Sequence, residues 1–297
     1  LAGTNTIDAG TATVQLTPRT PTFTVEFGDV DTALVTDVFY DSSWTGITAG
    51  SFIVGDGTTP HSGDITLTGT TAAPYALSVL NGGTGAILVT ADYGSSGDLT
   101  LDSGSGEIAV AGITIDIGTG LLSMADPITL TGGGSTTMNA DGGIQLQSTV
   151  DATSPGVEDL ALEAVGANIT VTGEIGSTPL GALSVSDGAN VGFTNAVTAA
   201  SFTQSAESTG TGTTTFSGVQ DYTGNFSFTG SALTVDNTMS VGGSTTITNG
   251  GLFTKNGTGA ISSTGGFTQN GGGVSSIGAN ISTTNTGLSF ATDVTLT

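Results

Sequence analysis

Short, separated segments that alternate apolar and polar residues with a period of two restrict the fold of this chain more than any other feature. GDITLTG (63–69), DLTLDSG (98–104), GIQLQS (143–148), DLALEA (159–164), ALSVSD (182–187), NFSFTG (225–230) and ALTVDN (232–237) all follow the pattern. Such a period puts alternate side chains on one face of a strand, so Leu99 shares a face with Leu101, Leu160 with Leu162, Leu183 with Val185 and Leu233 with Val235. No stretch repeats apolar residues at i, i+3, i+4, i+7. Thr is stiff at its first side-chain torsion, and Gly, 49 of the 297 residues, costs about 1 kcal/mol inside a helix. The expected fold is all-β, with strands of about four to six residues divided by Gly, Asn, Asp and Ser turns.

Internal similarity selects a solenoid over a sandwich. GDLTLDSGSGEIAVAG (97–112) matches EDLALEAVGANITVTG (158–173) without a gap, pairing Leu99 with Leu160, Leu101 with Leu162, Ile108 with Ile169 and Val110 with Val171. A displacement of 61 residues suits three coils of a parallel β-helix of roughly 20 residues each. Leu99, Leu122, Ile144, Leu160 and Leu183 recur at steps of 23, 22, 16 and 23, an irregular series centred on one such coil. At ~4.8 Å per coil, residues 63–297 would make about 12 coils and a rod roughly 55–60 Å long.

Three zones divide the chain. Residues 1–62 concentrate Phe23, Phe27, Phe39, Tyr40, Trp44 and Phe52 with Arg19, His61 and the acidic residues Glu26, Asp29, Asp31, Asp37 and Asp41. They are expected to form an aromatic-rich cap or an appended small β-unit on a rod spanning 63–297, with Phe23, Phe27, Phe39 and Phe52 as plugging or assembly residues, the alternative being a less regular set of coils. No aromatic residue occurs from Gly94 to Gly192, which predicts a narrow aliphatic bore. Phe193, Phe202, Phe216, Phe226, Phe228, Phe253, Phe267 and Phe290 then replace Leu and are expected to stack inside successive coils. The opening residue Leu1 reads as the start of a processed or cut chain, and the closing LSFATDVTLT as strand that continues into further coils or docks onto another molecule.

Charge removes several functions. Two basic residues, Arg19 and Lys255, stand against 25 acidic ones, for a net charge of −23, so nucleic acid and anionic membrane surfaces are repelled. No apolar run approaches the ~20 residues that span a bilayer, and membrane insertion is not expected. With no Cys, disulfides do not staple the fold, and with so few cations ion pairs cannot. Hydrogen-bonded ladders and internal stacks must do so instead. Thr at matching positions of neighbouring coils suits such ladders.

Catalytic chemistry finds few residues. Lyase action on acidic sugars needs a base and cations, and only Arg19 and Lys255 are available, in different zones. Glycoside hydrolysis needs two carboxylates about 5–10 Å apart. Asp29 with Asp31, or Asp37 with Asp41, could supply them beside Tyr40 and Trp44, whose rings could stack on a sugar. The plainer reading places Asp, 19 of the 25 acidic residues, in turns and at solvent-facing strand positions. His61, the single His, reads as a loop residue, because zinc or copper needs further His or Cys ligands. Ca²⁺ is the one ion worth retaining, held weakly at Asp29, Asp31, Asp37 or Asp41; no cofactor is otherwise called for. The Gly-rich NGGTGAI and TGGGST lack the Gly-Lys-Ser/Thr ending of a phosphate loop. Asn168, Asn225, Asn256 and Asn280 begin N-x-S/T triplets, as chance supplies in so Ser- and Thr-rich a chain.

The stretch AASFTQSAESTGTGTTTFSGVQDYTGNFSFTGSALTVDNTMSVGGSTTITNGG (199–251) resembles the strand repeats of large secreted bacterial exoproteins of the filamentous-haemagglutinin-like and autotransporter-adhesin type. The likeness rests on texture (S-F-T, T-x-T-F, L-T-V) and extends in weaker form over about 63–297. It implies a right-handed parallel β-helix on the outside of a bacterial cell, acting as adhesin, filament or surface layer. The expected function is that of a non-catalytic extracellular structural protein whose partner is itself, joined head to tail, with host or matrix glycans as further partners. The alternative is a carbohydrate-binding or polysaccharide-degrading β-helix protein using Tyr40, Trp44 and the nearby Asp residues.

Overall fold

The computed structural model describes residues 7–18, 20–28, 37–40, 47–73, 75–205, 210–284 and 286–297, with the strands at 37–40 and 70–73 given by backbone alone. Every described strand pairing is parallel, and no helix occurs among the described residues. The chain winds as a β-solenoid of about 11 turns, about 22 residues each. At ~4.8 Å per turn that makes a stack roughly 50 Å long.

One coil shows why the sequence folds this way. Leu99–Asp102 lies on a first face, Ile108–Ala111 on a second and Thr114–Asp116 on a third, after which Leu121–Met124 returns to the first. Leu99, Leu101, Ile108, Val110 and Ile115 point into the bore and are fully buried. Parallel stacking lets each inward residue meet its equivalents in the coils above and below, so a degenerate repeat builds continuous apolar columns. The first face is a 13-stranded sheet from Thr13–Leu16 to Val294–Leu296. The other two faces merge into one 22-stranded sheet, because Ile175–Gly188 and Val197–Gln204 run round their shared corner without a break.

The outward column at the centre of the first face runs Gln15, Ile53, Ser78, Thr100, Ser123, Gln145, Thr170, Gly192, Thr215, Thr234, Thr254, Ser276, Thr295. No charged residue interrupts it.

The coil is longer than the internal match suggested, and the reason is physical. Ile144 stacks on Ile169, not on Leu160, whereas Leu160 belongs to the third face and stacks on Leu183. The match of 97–112 with 158–173 therefore laid a first-face strand over a third-face strand. All three faces need the same inward apolar pairs, so alternation alone does not say which face a strand occupies.

Strands on both sides of residue 62 share sheets. Ser51–Asp56 pairs with Ala76–Asn81 on the first face, and Val25–Gly28 with Ile65–Leu67 on the second. Asp37–Tyr40 pairs with the other edge of Val25–Gly28 and lies outermost there. Ile7–Asp8 and Ile47–Thr48 form a separate two-stranded sheet.

The bore changes character along its length. Up to residue 192 it holds mainly Leu, Ile, Val, Met and Ala. Phe193, Phe202, Phe216, Phe226 and Phe228 follow, all buried, with Phe193 and Phe216 stacked at 4.9 Å and Phe202 and Phe226 at 5.0 Å. Beyond residue 203 polar side chains join them inside: Gln204, Thr214, Gln220, Thr245, Lys255, Ser263, Gln269 and Ser275 are all buried.

Candidate functional site

The candidates read from sequence scatter. Asp29, Asp31, Asp41 and Trp44 lie outside the described residues, as does Arg19. Asp37, Phe39 and Tyr40 stand on one strand, in register with Val25, Phe27 and Gly28. Phe27 and Phe52 are buried in the chain's own bore, ring centroids 5.8 Å apart, and so are committed to internal packing; Phe23 is half-buried. Among the described residues, no three of His, Cys, Asp and Glu gather so as to hold a metal ion.

His61 lies in a loop, as expected, yet it is buried. Its Nδ1 donates to the Gly63 carbonyl at 2.8 Å, while Nε2 is buried without a hydrogen-bond partner.

Four of the described Asp residues and two Asn share one structural task. Asp64, Asp92, Asp98, Asp159, Asn190 and Asn225 each stand immediately before an inward apolar or aromatic residue. The side-chain oxygen of each accepts the backbone N–H of the residue beside it on the next coil: Ala86, Thr114, Leu121, Ala182, Thr213 and Ser244, at 2.5–3.2 Å. These are rungs that continue the ladder past the strand start. The signal is present as an Asp or Asn directly ahead of an inward Ile, Leu, Tyr, Val or Phe. Asp98→Ala should cost about 1 kcal/mol, while Asp98→Asn, which keeps an acceptor, should cost less than half of that in urea titrations.

One carboxylate pair does come together, Asp102 with Asp126 on the adjacent coil. The Gly104 amide donates to both, at 3.0 Å to Asp102 Oδ1 and 3.1 Å to Asp126 Oδ2, and the Ser103 amide donates to Asp126 Oδ2 at 2.5 Å. Burial, reinforced by the Asp102 charge, raises the Asp126 carboxyl above its ordinary value. Backbone amides occupy both groups, so the pair serves as another rung.

Lys255 is the least foreseen residue. In Phe253–Lys255 it follows Phe253 by two and so points into the bore, where it is fully buried. Its Nζ donates to the carbonyls of Thr258 (2.6 Å), Asn256 (2.8 Å) and Val235 (3.4 Å), one acceptor for each ammonium proton. Burial lowers its pKa, with the Asp236 charge pulling the other way. Between that lowered value and the ordinary lysine value of about 10.5, the unfolded chain binds a proton the folded chain does not. Stability should therefore rise with pH across that window, relative to Lys255→Met, in paired urea titrations. The comparison cancels Tyr222, whose burial raises its pKa and which acts oppositely above pH ~10.

Gln269 completes the polar bore. Its Nε2 donates to Asn249 Oδ1 (2.7 Å) and to the carbonyls of Gly271 and Gly273 (both 3.1 Å), and its Oε1 accepts from the Ala291 amide (3.1 Å).

On the outside, a shallow groove of about 290 Å³ crosses the second face beside Asp221, Ser240, Ser262, Ser282, Thr264 and Thr284. Asp221 is its single charged group. Hydroxyls and one carboxylate can exchange hydrogen bonds with a polar ligand, but they hold neither a nucleophile–base pair nor an acid–base pair of carboxylates.

No protein-family model, curated protein or solved structure matches the chain.

Proposed function

We propose that this chain is a non-catalytic structural protein of the bacterial cell exterior, a rod-like segment of a filamentous adhesin or a fibre subunit that stacks end to end. The observation that carries the reading is the set of inward columns running through about 11 turns, with outward columns rich in Ser and Thr around them. Buried ladders, apolar stacks and corner rungs hold such a rod without disulfides or ion-pair networks. Its acidic surface keeps it soluble. Because each coil offers the next an open ladder and an apolar column, a coil from a second copy can rest on a terminal coil as its own neighbours do. Negative-stain microscopy of the full chain and of native cell-surface material tests this: rods or fibres about one solenoid wide are expected, and compact particles would refute it.

A second reading, neutral-glycan binding, is favoured by the groove beside Asp221. It requires binding on a glycan panel that Asp221→Ala abolishes. The chain's net charge of −23 disfavours uronate or sulfated chains.

A further inference from the structure

We propose that two copies of this chain associate side by side and antiparallel through the C-terminal part of the first face, overlapping only there. This contact is lateral, distinct from end-to-end stacking, and forms between copies whose C-terminal coil carries no stacked neighbour.

Two independent observations meet on that face. Leu252 and Val274 are 45% and 50% exposed, and they occupy the same outward column on successive coils, in register through Phe253 and Ser275. Beside them runs the uncharged Thr234, Thr254, Ser276 part of the central column. The result is a strip of methyl and hydroxyl groups, closed by the exposed Asp293 beside Val274 on the last coil, and a face of this kind packs against another sheet at about 10 Å.

Charge distribution selects the occupant and its direction. Residues 1–205 hold 21 of the 25 acidic side chains, whereas residues 206–297 hold only Glu207, Asp221, Asp236 and Asp293, with Lys255. Two full-length parallel rods would lay their acidic parts against each other. A two-fold axis along the strand direction, between the coils of Leu252 and Val274, instead joins the weakly charged parts and sends the acidic parts opposite ways. The same axis puts Leu252 over the partner's Val274, and the partner's Leu252 over Val274. Thr254 then faces Ser276 in the same manner.

Four coils at ~4.8 Å, each roughly 13–15 Å wide, give on the order of 250–290 Å² per partner. Stable dimers bury about 800 Å² per partner, so the contact is weak and concentration-dependent. Salt, by screening the remaining repulsion, should strengthen it.

Sedimentation of the full chain over a concentration series, at low salt and at about 0.5 M salt, reads the association. Leu252→Lys and Val274→Lys together should weaken it about tenfold or more, with the circular dichroism spectrum unchanged. Because the chain lacks Cys, single thiols probe the geometry. With a short bismaleimide, Thr254→Cys should give a covalent dimer and Thr100→Cys, on the same face but far from the axis, should not. A monomer at about 1 mM in high salt, association indifferent to the two lysines, or equal cross-linking at Thr100→Cys would each overturn the proposal. Microscopy of the double-lysine variant separates this contact from stacking, since fibres joined at their ends would persist.

Discussion

Replacing Phe216 by alanine should cost about 3–5 kcal/mol and divide the rod into two units that unfold separately. Phe216 is fully buried, stacked on Phe193 at 4.9 Å and meeting Phe202 and Phe226 edge-on at 5.2 and 5.8 Å. Truncation removes one ring and strips three others of a neighbour, opening a cavity at the step from aliphatic to aromatic bore. In a solenoid each coil depends on the next, so the damage stays local. Hydrogen exchange should quicken in 191–235 and stay slow in 99–146. Phe216→Leu keeps most of the apolar volume and should cost roughly a third as much. A single sharp urea transition for Phe216→Ala at the native midpoint would contradict this coupling between coils.

Gly212→Ala is expected to be nearly as damaging, by about 3 kcal/mol, although it adds one methyl group. A β-carbon at Gly212 would collide with the Ala189 carbonyl oxygen of the preceding coil. Gly273 faces the Gly251 carbonyl in the same way. At these corners successive coils touch backbone to backbone, and the ladder leaves no freedom to retreat. Gly192 is the control. It points outward on Val191–Phe193, and a methyl group added there would meet nothing within 4 Å, so Gly192→Ala should shift stability by no more than about 0.5 kcal/mol. Thermal melts of Gly192→Ala, Gly212→Ala and Gly273→Ala side by side would check this, and equal losses at Gly192 and Gly212 would refute the steric account.

Much of the fold is legible in the sequence because the bore imposes alternation directly on it. Leu99 with Leu101 and Leu233 with Val235 are inward pairs, and the Phe residues from 193 onward stack as their replacement of Leu implies. Coil length is less legible, since a first-face pair such as Leu99 and Leu101 has the same pattern as the third-face pair Leu160 and Leu162. Lys255 reads from its charge as a surface cation available for chemistry, and the structure corrects this. Its spacing from Phe253 carries the right answer, but charge is ordinarily sufficient reason to place a side chain in water. Asp98 and its equivalents read as turn or solvent-facing strand residues; they stand at or just before strand starts, and that reading is silent on their function. Their partners lie 22 or 23 residues away and become visible only once the coils are stacked.

The sequence by itself determined the strand type, the apolar columns and the strongly acidic character, because each follows from residue type and a spacing of two. Only the tertiary structure decided which strands share a face, that Lys255 sits within a cluster of carbonyls, and that Leu252 and Val274 emerge side by side on a face whose central column carries no charge. Those facts depend on the register between coils. Register is set by how some twenty-two residues close one turn, a property of three faces and their corners together that no local pattern encodes.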